Sequence, residues 1–209
     1  MAGSDVARVV VLAGGTGGAK LARGMADVVN DGLTVVANTG DDIEIHGGYV
    51  SPDPDLVTFW LADRIDERGW GLRGDTFEVM GGLRDLGEES WFNLGDRDLA
   101  LCVRRARRLA EGARLTEAID EARHAYGVAA RVLPASDDPV RTRVRAAGRW
   151  WPFQEFMIRH RAQGPVEGVV DLLVHHVRVA RQQQGAPPVA RLDEGRLSCD
   201  RALLRRGPG

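Results

Sequence analysis

Residues Arg8 to Lys20 read RVVVLAGGTGGAK. Val9, Val10, Val11 and Leu12 form a short, mostly β-branched run, the composition of a strand buried in a parallel sheet. Gly14, Gly15, Gly17 and Gly18 follow at once around Thr16, and glycines there let the chain turn sharply and present N–H groups to an anion. Beyond them Leu21, Met25, Val28 and Val29 recur at helical spacing, so the helix N-terminus faces the same anion. Strand, glycine loop and helix in this order predict a phosphate cradle in an α/β fold. The loop lacks the Gly-Lys-Ser/Thr ending of a Walker A sequence, and Lys20 stands where a dinucleotide fingerprint has its third glycine. A glycine-rich turn with no ligand is the plain alternative. Lys20 is the only lysine in the chain. An ammonium beside such a loop supplies the point charge that a phosphate site uses, and a leftover on a solvated helix face is the bland reading.

A chain of 209 residues accommodates one α/β domain, with or without an insertion, and an apolar fraction of 44% is enough for an ordinary core. A net charge of −2 gives no push toward nucleic acid or a membrane surface. Cys102 and Cys199 are too few and too far apart for a disulfide framework. The N-terminus has no signal-peptide pattern, and no apolar run approaches bilayer length. The expectation is a reduced, cytoplasmic protein with neither nucleic acid nor membrane as partner. The arginines at 104, 105, 107 and 108 resemble a nucleic-acid patch in isolation, but most fall on the outer face of a helix and are balanced by later acids, so a solvated face is the expected reading.

Leu33 to Ala37 is a second buried strand, and Asn38 opens a polar loop at its C-terminal end, where doubly wound sheets bind ligands. The loop carries Asp41, Asp42, Asp53 and Asp55, with Asn38, Thr39 and Ser51 among them. Two carboxylate pairs opposite a phosphate cradle point to a hard divalent cation, although Asp-Pro-Asp and Thr-Gly-Asp-Asp are also turn chemistry. Leu56 to Ile65 has helical spacing after Asp55, and Phe77 to Gly87 reads as a short helix. Trp60, Trp70 and Trp91 fall in this region, as core packing or as stacking surfaces for a planar ring. Asp96 or Asp98 is expected to cap the helix that carries Leu99, Val103 and Ala106, and Thr116 the next one. Val140 to Val144 alternates as a strand, with Trp150 to Ile158 returning beside it.

GGTGGAKLARGM, NTGDDIEIHGGYVSPDPDLVTFWLADRID, GWGLRGDTFEVM, WFNLGDRDLA, ARVLPASDDPVRTRV and WWPFQEFMIR together resemble the 2-phospho-L-lactate transferase family of coenzyme F-420 biosynthesis, in its phosphoenolpyruvate-using actinobacterial form. The likeness runs from about Val9 to about Gly168. It implies a Rossmann-like parallel sheet with an inserted helical subdomain at about 56–127, a magnesium ion and a homodimer. It implies transfer of a phospho-acid moiety from a guanosine diphospho-donor to the ribityl hydroxyl of the deazaflavin Fo, with release of GMP. Fo-binding positions fall on Asp55 and, less securely, on Asn93, where some members have lysine. On this reading Gly14, Gly15, Thr16, Gly17 and Gly18 hold phosphate oxygens with Lys20 as a point charge. Asp41, Asp42 and Asp53 hold the cation, and Asp55 orients or deprotonates the attacking hydroxyl. Asn38 and Thr39 line the substrate site, with Asp96 and Asp98 as further candidates.

The family continues through later strands, whereas residues 169–209 here are Arg/Ala/Gly/Pro-rich, as a truncated or frameshifted member would be. The parallel sheet is therefore expected to be incomplete on its C-terminal side. His175 and His176 read as a chance pair, and Gln182 to Pro188 as linker. Two rival functions are an NAD(P)-dependent Rossmann enzyme, disfavoured by Lys20 and by Asn38 at the end of the second strand, and a remnant that binds Fo or nucleotide without turnover.

Overall fold

The computed structural model describes residues 8–173, so His175, His176 and the expected linker lie outside the described residues. β1 (Val9–Ala13) leads through the glycine loop into α1 (Thr16–Val29), and the chain returns as β2 (Leu33–Ala37). β1 and β2 pair in parallel, Val9 opposite Leu33 and Ala13 opposite Ala37. Residues 38–130 then form an insertion before the sheet resumes. It holds a small antiparallel pair, β3 (Ile43–Ile45) and β4 (Gly48–Val50), and the helices α2 (Pro52–Leu61), α3 (Glu78–Asp85), α4 (Asp96–Ala110) and α5 (Leu115–Ala125). β5 (Arg131–Pro134) pairs in parallel with β2, giving the order β1-β2-β5. A second antiparallel sheet follows, with β6 (Val140–Ala146) between β7 (Arg149–Pro152) and β8 (Val166–Leu173). The α/β class with a parallel sheet and inserted helices is as the sequence predicts.

Two boundaries moved for local reasons. α2 begins at Pro52, not after Asp55, because proline at the first helical position loses no hydrogen bond and is preset to helical φ. Both Asp53 and Asp55 therefore sit in its first turn. The run after Trp151 does not continue as a strand: Pro152 ends β7, and Glu155–Arg159 winds into a short helical turn. β8 extends across Gly168, so paired structure continues past the point where the family motifs end.

The caps also differ from expectation. Asp75 accepts from the amides of Arg97 and Asp98 at 3.0 and 3.1 Å, capping α4 from outside. Asp96 accepts from Glu78 and Val79 at 3.1 and 3.0 Å and so caps α3, while Arg114 rather than Thr116 precedes α5. With Asp137 accepting from the Thr116 amide at 2.7 Å, the starts of α3, α4 and α5 are each closed by an acid from elsewhere in the chain.

The main core joins Val11, Ala13, Leu33, Val35, Ala37 and Val132 from one face of the sheet to Ala19, Ala22, Val57, Leu115 and Ile119 from the helices. On β1 the other face is bare among the described residues: Val10 is 63% exposed and Leu12 79%. No helix of the described residues is long and apolar enough to cross a membrane.

Packing of α1 on β1 is close enough to dictate sequence. A Cβ at Gly18 would lie 2.6 Å from Ala13 Cα, whereas one at Gly17 would meet nothing within 4 Å. Gly18→Ala is therefore expected to lower stability by about 1–3 kcal/mol, and Gly17→Ala to leave it unchanged or raise it. Urea midpoints of the two variants measure the difference, and equal midpoints would refute the close approach.

Candidate active site

The glycine loop turns at Gly15, where φ is +114°, a conformation that favours glycine. The Ala19 amide closes the first turn of α1 onto the Gly15 carbonyl at 3.2 Å. Helix geometry leaves the earlier amides, those of Thr16, Gly17 and Gly18, without intrahelical acceptors. Thr16 and Gly17 are exposed, and the space over Gly17 is open, so an anion has both donors and room. Lys20 lies one turn in, exposed, with Nζ 5.6 Å from the centre of the Trp60 ring. It bridges α1 to α2 by a cation–π contact.

The acid loop is wired to this cradle through Asn38. Its backbone amide donates to Ala13 O at 2.8 Å, extending the β1–β2 ladder to the loop itself. Its side-chain Nδ2 donates to Asp41 Oδ1 at 3.0 Å and to Asp53 Oδ2 at 3.1 Å, and its Oδ1 accepts from the Gly40 amide at 3.0 Å. One amide thus gathers two carboxylates from positions fifteen residues apart or less. The Gly15 amide stands beside Asp53 and favours its charged form, which brings the loop glycines and the acids into one site. Gln154 secures the far side by donating to the Asp41 carbonyl at 2.9 Å. Asp42 turns inward, accepting from Ser51 Oγ at 2.8 Å, and its amide donates at 3.3 Å to the carbonyl of Thr39, which is also buried.

Burial dominates the electrostatics here. It pushes the Asp41 carboxyl up to about 7, helped by the neighbouring charge of Asp53. Asp42 is likewise raised to about 7 by burial, against the opposing pull of Ser51, Tyr49 and Arg105. Burial raises Asp53 too. Asp42 Oδ2 is buried without a hydrogen-bond partner among the described residues. No ion pair joins Asp41 or Asp53 to a basic residue among those described. Carboxylates without a basic partner offer the hard oxygen donors that divalent cations take.

A second cluster lies beneath. Asp55 accepts both terminal nitrogens of Arg105, one of them at 2.9 Å, and Arg105 Nη1 also donates to the Tyr49 carbonyl at 3.0 Å. Arg105 is 1% exposed. Burial opposes its charge, but Asp55 more than restores it and raises the group overall. Asp98 and Cys102 lie on the same stripe of α4, at i, i+4 and i+7 with Arg105, and burial raises both of them. Ligand atoms of Asp55, Asp98 and Cys102 all lie within 4.8 Å of one another, a spacing that could hold a metal. Arg105 already neutralises Asp55 there, and a buried thiol is a poor ligand for a hard cation such as magnesium.

Sequence spacing groups Arg105 with the solvated arginines, whereas the fold buries it. Arg104 and Arg108 do face outward, paired with Glu121. The helical stripe of Asp98, Cys102 and Arg105 was the available signal. Asn93 is exposed on the loop before α4, and Asp96 is committed to the start of α3. Trp70 and Trp91 pack edge-on against Phe77 and Phe92 at 6.3 and 5.6 Å between ring centres.

A parallel sheet, an open glycine loop and a buried acid cluster on the adjoining loop define an α/β protein with a polar site at the C-terminal edge of its sheet. The chain belongs to the 2-phospho-L-lactate transferase CofD family, which matches residues 9–189. It is 38% identical over 163 residues to the 2-phospho-L-lactate transferase of Methanosarcina mazei, covering 77% of this chain and 54% of that protein. It is 39% identical over 180 residues to the phosphoenolpyruvate transferase of Thermobifida fusca, covering 79% of this chain and 56% of that one. The chain thus spans about half the length of these curated relatives.

The raised carboxyls predict an unusual pH dependence. Asp41 and Asp42 ionise near the ordinary value of about 3.9 when unfolded but stay protonated to about 7 when folded. The folded chain therefore binds more protons across that window, and their contribution to stability is full on the acid side and lost as pH rises through 7. Melting temperature should be higher at pH 5.5 than at pH 8, and Mg2+ should restore part of the loss at pH 8 with little effect at pH 5.5. Asp41→Asn should flatten the profile and reduce the Mg2+ response; a profile unchanged by the substitution would sink the assignment.

Proposed function

We propose that this chain provides the phosphate- and metal-handling part of a phospho-acid transferase of coenzyme F-420 biosynthesis. The transferred group is phosphoenolpyruvate or 2-phospho-L-lactate, taken from a guanosine diphospho-donor. The acceptor is the ribityl hydroxyl of Fo, and GMP leaves. The reading rests on family membership and, above all, on Asn38 holding Asp41 and Asp53 together beside the Gly15 amide. Phosphoryl transfer needs positioned donors and charge neutralisation more than covalent chemistry, and that juxtaposition offers both.

Each group has a role in this proposal. The open amides at Thr16, Gly17 and Gly18 bind phosphate oxygens, and Lys20 adds a mobile positive charge from its perch on Trp60. Asp41, Asp53 and Asp42 would hold Mg2+, which supplies charge neutralisation at the phosphates when bound. Asn38 and Thr39 shape the loop between them. Asp55, with both oxygens engaged by Arg105, is better suited to orient the acceptor hydroxyl through a remaining lone pair than to take its proton. Asn93 supplies a rim contact to Fo, whereas Asp96 and Asp98 act through the helices they belong to. The family resemblance also suggests a homodimer.

A binding-only role is the second reading, favoured by the exposed Val10 and Leu12. Fluorescence titration with Fo, followed by an assay for GMP release from the guanosine diphospho-donors, separates the two. Fo binding with GMP release establishes the transferase; Fo binding alone establishes the binding-only role; neither refutes both. Asp55→Asn is expected to weaken Fo binding about tenfold, the loss of one charge-assisted hydrogen bond. Arg105→Met, which strands the Asp55 charge in the interior, is expected to cost about 3–5 kcal/mol of stability in thermal or urea unfolding.

A further inference from the structure

Arg64 and Arg73 face each other across a tight ribbon. Ile65 and Leu72 form an antiparallel bridge, and the Arg73 amide donates to the Arg64 carbonyl at 2.8 Å. The two guanidinium stems therefore leave paired positions of one turn. Like charges so placed destabilise each other unless something negative lies between them. With Asp63, Leu72, Arg97 and Tyr126 they line a cavity of about 270 Å³.

The charge balance of this cavity is one-sided. Three guanidiniums face a single carboxylate, Asp63, and both of its oxygens already accept from Arg23 at 2.8 and 3.2 Å. Arg97 is anchored, with Nη2 donating to the Arg73 carbonyl at 2.9 Å and Nε lying 3.3 Å from Asp75. Among the described residues neither Arg64 nor Arg73 has a carboxylate at ion-pair distance. Leu72 is 3% exposed and forms an apolar wall, and the Arg64 guanidinium lies 5.4 Å over the Tyr126 ring. The cavity adjoins the C-terminal end of α2, whereas Asp53 and Asp55 occupy its first turn, about 12 and 9 Å along the axis from Leu61, although the charges of Asp55 and Asp98 still reach the lining Tyr126. Arginines near a helix C-terminus complement its dipole, but one or two would serve, and convergence of three on a single hollow is not explained that way.

We propose that this cavity is a second anion site, separate from the glycine loop, that takes a phosphate dianion, either free or as the end group of a small phosphate ester. Arg64 and Arg73 grip its oxygens with charge-assisted hydrogen bonds, and Arg97 holds the far wall. The proposal does not depend on the transferase reading.

The test uses the 209-residue chain with inorganic phosphate and glycerol 3-phosphate as probes, at ionic strength held constant with sodium chloride. Calorimetric titration should show binding at two places. The Arg64→Gln/Arg73→Gln double variant should weaken one of them about tenfold or more, and the lysine double variant should retain part of it. In the unaltered chain, phosphate should shield Arg64 and Arg73 from phenylglyoxal, read by mass spectrometry, while chloride should not. That measurement decides the matter if the double variant fails to fold. Tighter binding of glycerol 3-phosphate assigns the ester, and equal or weaker binding assigns the free anion. Unchanged affinity in the double variant, or equal shielding by chloride, overturns the proposal.

Discussion

The ion pair between Arg105 and Asp55 joins the inserted helices to the loop that carries the acids. It ties the first turn of α2 to the middle of α4, and through the Tyr49 carbonyl it fixes β4 as well. A guanidinium that is 1% exposed tolerates no loss of its partner, because an unpaired buried charge costs far more than the pair returns. The geometry around Asp55, Asp98 and Cys102 follows from that constraint. So does the close approach of β4 to α4, where a Cβ at Gly48 would lie 2.8 Å from Cys102 Cβ.

Above this pair the molecule accepts electrostatic cost. Three carboxyls on or beside one loop are raised by burial, and the hydrogen bonds from Asn38, Ser51 and the Gly15 amide offset only part of it. A core built for stability alone would not keep such a group together. Support comes from unrelated segments. Gln154 holds Asp41 from behind, and the Thr142 amide donates to the Gly40 carbonyl at 2.6 Å, so the antiparallel sheet backs the acid loop. Among the described residues, the half of β1 that faces away from the helices, Val10 and Leu12, is apolar and exposed.

Much of this was legible in residue order. The β-branched run and the glycines located the β1–α1 unit, and Asn38 at the end of β2 located the second wall. Other elements were not. Trp150 to Ile158 reads as a strand by composition, yet Pro152 and the packing of Phe156 turn it into a helical bend. Asp96 has the local pattern of a cap for α4 but caps α3, because the partner amides came from a segment eighteen residues upstream.

The amino-acid sequence by itself determined the α/β class, the glycine-rich turn between β1 and α1 and the family, because these depend on local periodicity and on motifs whose members lie close along the chain. Tertiary structure alone decided which acids meet. Asn38 selects Asp41 and Asp53, Ser51 takes Asp42, and Arg105 claims Asp55 from fifty residues away. Arg104, Arg105, Arg107 and Arg108 look alike in sequence, and only the rotation of α4 against α2 and β4 makes Arg105 the buried counter-charge while its neighbours stay in water.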